Sequence, residues 1–265
     1  MRRRAASRCR RDIVGPRFPL TADVATRVPD VTDVVQLFAT CLGDLVFPDA
    51  VGDAELLLRE AGFRVELPSR QVCCGQPAFN SGHRGAARRV ARTFEKAFSR
   101  SAPVVLPSGS CTAMVALHLP ELLGVEPYEV WELSAFLDRA GAELPRRNEG
   151  RTVAYHDSCH MLRELKVSAE PRRLLERSGA TVVGMPRPDL CCGFGGTFSV
   201  RQPEISVSMA DDKLGGARGA GAEALVTADP GCLMHLDGRV RKVGGVPVVH
   251  LATALARGIG PGAAA

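Results

Sequence analysis

Short apolar runs and longer amphipathic segments alternate along most of the chain. Runs of β-branched and apolar residues bounded by polar turns are typical of buried parallel strands, and apolar residues three or four positions apart are typical of helices. Gly62 and Gly179 each follow a helical segment, as expected for residues that end a helix. The pattern predicts strands at 34–39, 63–67, 103–106, 151–155, 181–183, 224–227 and 246–250, and helices at roughly 48–61, 83–100, 170–178, 203–219 and 251–256.

The same order of elements occurs twice, which predicts a duplicated α/β fold. Strands that alternate with helices form parallel βαβ units, and two units of roughly 110 residues are of ordinary domain size. We expect two tandem, pseudo-symmetric repeats, each with its own parallel sheet. The predicted boundaries are a disordered basic tail at 1–30, a first repeat at 31–140, a linker at 141–150 and a second repeat at 151–265.

The positive charge of the chain lies in its N-terminal tail. The formal net charge is +5, but seven arginines and one aspartate in the first 20 residues contribute +6, so the remaining residues carry −1. A basic nucleic-acid-binding face is therefore not expected. No apolar run approaches the roughly 18 residues of a membrane span, and no apolar segment of a signal peptide follows the first arginines. These features favour a cytoplasmic protein.

Eight of the nine cysteines form two copies of one pattern. In each copy a single cysteine precedes an adjacent Cys-Cys-Gly by 32 positions, and a fourth cysteine follows that pair by 37 or 40 positions. Cys9 lies outside the pattern and is interpreted as an incidental thiol. The repeated cysteines are Cys41, Cys73, Cys74 and Cys111 in the first copy and Cys159, Cys191, Cys192 and Cys232 in the second.

Each repeated cysteine or pair follows a predicted strand, so the four thiols of a copy are expected to converge. The carboxyl ends of parallel strands meet at the sheet edge where α/β proteins build their sites. Structural zinc usually takes cysteines from C-x2–4-C loops, and dithiol redox centres usually use C-x-x-C. Neither spacing occurs here, although both alternatives stay open. Four thiolates are the usual ligand set of an iron–sulfur cluster, which we favour.

Glycines accompany both cysteine pairs. Gly75 and Gly193 follow the pairs directly, and Gly195 and Gly196 extend the glycine-rich loop of the second copy. A residue without a Cβ allows a tight turn and lets backbone N–H groups approach cluster sulfides. We therefore predict that these four glycines contribute to cofactor binding.

Long motifs surround the repeated cysteines: CCGQPAFNSG at 73–82, PSGSC at 107–111, HDSCH at 156–160, CCGFGGTFSV at 191–200 and TADPGCLM at 227–234. They resemble the Rossmann-like CCG cysteine-rich domain of heterodisulfide reductase B-type subunits. Related domains occur in the iron–sulfur subunits of glycolate oxidase and anaerobic glycerol-3-phosphate dehydrogenase. The resemblance is greater to the lactate-utilisation protein A family, and it covers roughly 31–255.

The resemblance implies an iron–sulfur subunit of a cytoplasmic complex that oxidises L-lactate to pyruvate. One or two [4Fe–4S] clusters, a ferredoxin-like iron–sulfur partner and a third small subunit are expected. No GxGxxG follows a first strand and no flavin signature is present, so a hydride acceptor, where one is needed, belongs to a partner. The alternatives are a subunit of a glycolate or heterodisulfide/thiol oxidoreductase, and a redox-sensing module that binds clusters.

The chain departs from the fuller CCG pattern at two positions. That pattern ends in C-x-x-C, and Ser108 and Asp229 stand where its first cysteine would be. We therefore expect four-thiolate clusters rather than five-thiolate ones. Serine and aspartate also suit the first position of a helix, so we interpret Ser108 and Asp229 as helix caps, with oxygen ligation as the alternative.

Four polar residues around Cys159 are the predicted catalytic groups. A histidine beside a strand end is suited to take the hydroxyl proton of a 2-hydroxy acid, and an arginine is suited to pair with its carboxylate. The alternative is that these residues hydrogen-bond cluster sulfurs or cap the next helix. The other histidines, at 83, 118, 235 and 250, carry no comparable signal. The predicted catalytic residues are His156, Asp157, His160 and Arg163.

Overall fold

Two four-stranded parallel sheets form the centre of the molecule. The computed structural model describes residues 34–260, so the predicted tail at 1–30, with Cys9, lies outside the described residues. The strand orders are β2-β1-β3-β4 and β6-β5-β7-β8, and all neighbours run parallel. The predicted α/β fold of two pseudo-symmetric repeats is confirmed. The strands are β1 Val34–Leu37, β2 Arg64–Glu66, β3 Val104–Leu106, β4 Val130–Glu132, β5 Thr152–Tyr155, β6 Thr181–Val183, β7 Ala224–Thr227 and β8 Val248–His250.

Helices connect the strands in a matching order in both repeats. Two π-helical segments, Met114–His118 and Met161–Leu165, interrupt this pattern. Among the described residues, no helix combines the length and the apolarity needed to cross a membrane. The α-helices are α1 Cys41–Val46, α2 Pro48–Glu60, α3 Gln76–Asn80, α4 Arg84–Ala97, α5 Gly109–Ala113, α6 Leu119–Leu123, α7 Leu133–Arg139, α8 Ala169–Arg177, α9 Thr197–Arg201, α10 Pro203–Gly219, α11 Pro230–Val243 and α12 Leu251–Arg257.

The long elements lie where the apolar pattern predicts them, but several short ones were not predicted. Strand β4 has three residues, only one of which is fully buried, so its pattern is too short to stand out. The internal repeat would have located it, because β8 shifted back by 118 positions falls on β4. The short helices α1, α3, α5 and α9 follow the strand ends beside the cysteines, where local sequence is rich in glycine, proline and serine.

The two repeats exchange their last helices. Helix α7 of the first repeat packs on α8 of the second, and α12 of the second packs on α2 of the first. Arg257 Nε donates to the buried carboxylate of Asp53 at 2.7 Å across the second of these contacts. Phe47, just before α2, belongs to the apolar core of the second repeat. The exchange explains why the described residues, 34–260, form one compact unit; the boundaries at 140 and 151 stay predictions.

Candidate metal centre

Three neighbouring strands deliver the four cysteines of each repeat to one edge of its sheet. In the first repeat Cys41 begins the helix after β1, the Cys73–Cys74 pair lies in the loop after β2, and Cys111 lies in the helix after β3. Since β1 lies between β2 and β3, these four side chains meet at the carboxyl edge of the sheet. The second repeat places its cysteines in the same way after β5, β6 and β7.

The thiols of each repeat are in contact without forming disulfides. Among the described residues all eight cysteines are free. The Cys41 and Cys73 sulfurs lie 3.6 Å apart, those of Cys74 and Cys111 lie 3.3 Å apart, and in the second repeat the Cys192 and Cys232 sulfurs lie 3.2 Å apart. Two groups of four thiols, which we call the first and second quartets, are therefore assembled by the fold.

One thiol in each quartet is strongly favoured as a thiolate. The hydrogen bond that Cys41 donates, followed by contributions from Cys74 and from the N–H of Gly75, lowers the pKa of Cys73 to about 3. At the equivalent place the hydrogen bond with Cys159 lowers the pKa of Cys191 to about 2. The thiolate is the form that binds metal. Hydrogen bonding and burial raise the pKa of Cys41 and Cys74 in the first quartet and of Cys159 and Cys192 in the second, so metal binding would have to displace protons from these thiols.

The glycines after the cysteine pairs hold the backbone close to sulfur. Gly75 and Gly193 have φ angles of 90° and 94°, in the left-handed region that favours glycine. Each donates its N–H at 3.4 Å to the first sulfur of its pair, Cys73 or Cys191. A Cβ at Gly193 would overlap the backbone oxygen of Ser206, whereas one at Gly75 would lie 3.3 Å from the nearest oxygen. Their predicted part in cofactor binding is a proposal that this geometry supports.

Both quartets open onto one cavity of about 240 Å³. Seven of the eight cysteines line it, Cys73 being the exception, and the predicted glycines Gly195 and Gly196 line it as well. The N-termini of α5 and α11 meet beside this cavity. Ser110 donates its backbone N–H to a carboxylate oxygen of Asp229 at 2.7 Å, which ties the first repeat to the second. The two quartets therefore share this cavity.

His160 is the predicted catalytic residue that reaches this cavity. Its Nδ1 lies 2.8 Å from Oε1 of Glu164, and its Nε2 lies 3.4 Å from the Gln76 amide of the first repeat. The hydrogen bond with Glu164 raises the pKa of His160. The other carboxylate oxygen of Glu164 lies 3.5 Å from His118 Nε2. A carboxylate-oriented imidazole in a cavity has the arrangement of a general base.

The three other predicted catalytic residues are not among the cavity-lining residues. Asp157 is buried and receives two hydrogen bonds of 2.7 Å from the Arg172 guanidinium, an ion pair that holds the loop after β5. Arg163 is exposed. His156 is completely buried, and burial lowers its pKa to about 3; one of its ring nitrogens lies within 4.8 Å of the Cys192 and Cys232 sulfurs.

Ser108 and Asp229 cap helices, as the sequence suggested. The Ser108 hydroxyl accepts the Cys111 N–H at 3.3 Å, and the Asp229 carboxylate accepts the Gly231 N–H at 3.0 Å. Both side chains also line the cavity. Their capping bonds account for their residue types without oxygen ligation.

Sequence reasoning missed three polar residues near the quartets. Glu164 follows His160 by four positions, the spacing that places two side chains on one helical face, so this partner was available from sequence. Gln76 and His118 come from the first repeat, and no local pattern connects them with residue 160. His235, which had no predicted role, contacts the Ser206 hydroxyl at 3.1 Å.

The fold and the two quartets define the chain as a cysteine-rich protein of the CCG class. The family profile described as "CCG: Cysteine-rich domain" matches residues 35–116 and 153–237, one copy in each repeat. The structure also resembles a solved hypothetical protein from Helicobacter pylori, with a TM-score of 0.61 and 13% sequence identity. That likeness covers 86% of this chain and 50% of the other, so this chain spans half the length of that protein.

Within this class, curated relatives specify the family. The chain is 38% identical over 239 residues to lactate utilization protein A of Shouchella clausii, which covers 83% of this chain and 98% of the relative. It is 40% identical over 234 residues to the protein of the same name from Halalkalibacterium halodurans, covering 83% and 96%. The chain belongs to the lactate utilization protein A family, which confirms the resemblance seen in its motifs.

Proposed function

We propose that this chain is the iron–sulfur subunit of an oxidoreductase that converts L-lactate to pyruvate. The observation that carries the proposal is that two thiol quartets open onto one small cavity beside a histidine that a carboxylate orients. The names of the relatives support lactate as the substrate. The free thiols suit a reducing compartment such as the cytoplasm.

The donor set fits iron–sulfur clusters. Each quartet supplies four thiols at one sheet edge, and backbone N–H groups point at sulfur in both repeats. The quartets would each hold one [4Fe–4S] cluster, and such clusters, when bound, accept and release single electrons. Oxidation of lactate releases two electrons, so two centres in one chain match the stoichiometry of the reaction.

The chain's own residues would bind lactate and remove its proton. The hydroxyl of a 2-hydroxy acid in the cavity would lie near His160, which would take the hydroxyl proton while Glu164 keeps the imidazole oriented. The Cα–H bond also breaks in this oxidation: its proton would pass to water, and the two electrons released would be the two that the iron–sulfur centres of the chain could take up one at a time. The side chains of Asn80 and Thr197 line the same cavity and offer hydrogen bonds to the substrate carboxylate. No arginine or lysine lines this cavity among residues 34–260. Neutral donors, and not Arg163, would therefore bind the substrate carboxylate.

The electrons would leave through partner subunits. A ferredoxin-like iron–sulfur subunit and a third small subunit are the proposed partners, because the family is expected to work in a lactate-utilisation complex. Transfer to another iron–sulfur protein also agrees with the lack of a dinucleotide-binding motif in the chain.

The deciding measurement is iron and acid-labile sulfide content after anaerobic purification, with EPR of the reduced protein. About eight irons and eight sulfides per chain are expected for two [4Fe–4S] clusters. Lactate should then reduce the clusters in the assembled complex, and glycolate should not. Zinc in place of iron would overturn the proposal, and reduction by glycolate alone would reassign the substrate.

A further inference from the structure

His156 is a completely buried imidazole that no protein group satisfies. It follows β5 directly, and neither ring nitrogen has a hydrogen-bond partner in the part of the chain that the structure describes. A buried polar group without a partner is destabilising and therefore uncommon in folded proteins. One ring nitrogen and the Cys192 and Cys232 sulfurs all lie within 4.8 Å of one another. Because both ring nitrogens lack a hydrogen-bond partner among residues 34–260, a metal ion held by one of them and by the two sulfurs would satisfy the buried imidazole.

The first repeat has a phenylalanine at the equivalent position. Phe38 follows β1 and donates its N–H to the Val105 oxygen at 2.9 Å, just as His156 donates to the Val226 oxygen at 2.8 Å. The Phe38 ring packs against two other phenylalanine rings at 5.5 and 5.1 Å between centroids. The same backbone position thus holds an apolar ring beside the first quartet and an unsatisfied imidazole beside the second. If residue 156 only filled space in the core, an apolar ring like that of Phe38 would be sufficient.

We propose that His156 binds iron through a ring nitrogen and is the fifth donor of the second centre, beside its four cysteines. This inference rests on the proposed iron–sulfur function. The other candidate for a fifth donor, Asp229, already caps α11 and accepts the Ser110 N–H. The first centre would have four thiolates only. Ligand identity is one determinant of the reduction potential of a cluster, so an added nitrogen donor would make the potential of the second centre differ from that of the first.

Pulsed EPR of the reduced protein, produced with ¹⁵N-labelled histidine, tests the ligation directly. A strong hyperfine coupling to a histidine nitrogen is expected in the wild-type protein. It should disappear in His156→Phe, which copies the residue of the first repeat. It should persist in His160→Gln, which alters the histidine of the cavity. It should also persist in His250→Gln, which alters a buried histidine whose ring nitrogens contact the backbone of Pro107 and Ala252.

The outcomes separate this inference from the proposed function. About eight irons with only weak nitrogen couplings would overturn ligation by His156 and leave the iron–sulfur function intact. Loss of the strong coupling in His160→Gln would move the ligand to residue 160 and also overturn the inference. A chain that binds no iron would overturn both proposals.

A redox titration gives a second readout that does not depend on activity. His156→Phe should shift the potential of one of the two centres and leave the other unchanged. His156→Cys supplies a donor atom at the same place, so it should keep the wild-type iron content while the nitrogen coupling is lost. This variant keeps the test valid if the phenylalanine variant folds poorly. Unchanged potentials in both folded variants would argue against a ligand at residue 156.

Discussion

The two repeats have the same strand order and the same cysteine pattern, yet their surroundings differ in polarity. Beside the first quartet the chain places Phe38 and Leu42, and at the equivalent positions beside the second quartet it places His156 and His160. The duplication therefore preserved the thiols and changed the residues that contact them. Under the proposed function the two repeats would divide their roles, the second carrying the proton chemistry and the first mainly holding a centre.

Removing one thiol from each repeat is the strongest test of this division. Cys74→Ser and Cys192→Ser each remove a buried thiol from one quartet, and each is expected to lower the iron content from about eight to about four per chain. The lost EPR signals should differ between the two variants because the centres have different surroundings. Iron analysis and EPR of both proteins provide the measurement. Loss of all iron in either variant would show that the two quartets depend on each other.

The proposed base gives the next largest effect. His160→Gln should reduce lactate oxidation by the complex by roughly 10²–10⁴-fold, the usual contribution of a general base, while iron content stays unchanged. Glu164→Gln should cause a smaller decrease because the imidazole loses only its orienting partner. Leu42→Gln, at the equivalent position of the first repeat, is the matched control. A similar loss of turnover in Leu42→Gln would mean that turnover depends on the shape of the cavity wall and not on the imidazole of His160.

The two glycines after the cysteine pairs should respond unequally to alanine. Both variants force a left-handed conformation on a residue with a Cβ, at a cost of roughly 1–2 kcal/mol. Gly193→Ala also creates an overlap with the Ser206 oxygen, so it should lose about 2 kcal/mol more unfolding free energy than Gly75→Ala. Denaturant unfolding under anaerobic conditions measures the difference. Equal losses would show that the loop after β6 shifts to accept the methyl group.

The residues that cap the helix after the last strand of each repeat should make stability depend on pH in opposite directions. Glu132 caps α7 and His250 caps α12, at equivalent positions. Burial raises the pKa of Glu132 to about 7, above its ordinary 4.5, so its contribution is present below pH 4.5 and is lost as pH rises through 7. Burial lowers the pKa of His250 to about 4, below its ordinary 6.5, so its contribution is present above pH 6.5 and is lost as pH falls through 4.

Neutral substitutions at these caps isolate the two effects. In the wild-type protein Glu132 should lower the unfolding free energy by about 2 kcal/mol as pH rises from 4.5 to 7, and Glu132→Gln should abolish this change. His250 should raise the unfolding free energy by a similar amount as pH rises from 4 to 6.5, and His250→Gln should abolish that change. Unfolding curves measured across this range provide the check. Variants whose pH slopes match the wild type would show that these groups titrate normally in the folded protein.

Much of the architecture was available from the sequence because it depends on local or repeated signals. Buried parallel strands show as apolar runs, and a shift of 118 positions places Cys41, Cys73 and Cys74 on Cys159, Cys191 and Cys192. The caps at Ser108 and Asp229 were predicted from residue type and place. Strand β4 and the short helices at the sheet edges were not predicted, because they span too few residues to show a period.

The sequence by itself determined the duplication, the parallel α/β fold, the eight repeated cysteines and the family. Only the tertiary structure decided that both quartets share a cavity, that His160 reaches it, and that His156 faces the Cys192 and Cys232 sulfurs instead. The two histidines are four positions apart and look equivalent in the chain. Their environments differ because one follows a buried strand end and the other lies at the seam between the repeats, where residues distant in sequence meet. Hydrophobic periodicity reports which face of an element is buried, not which distant side chain it meets.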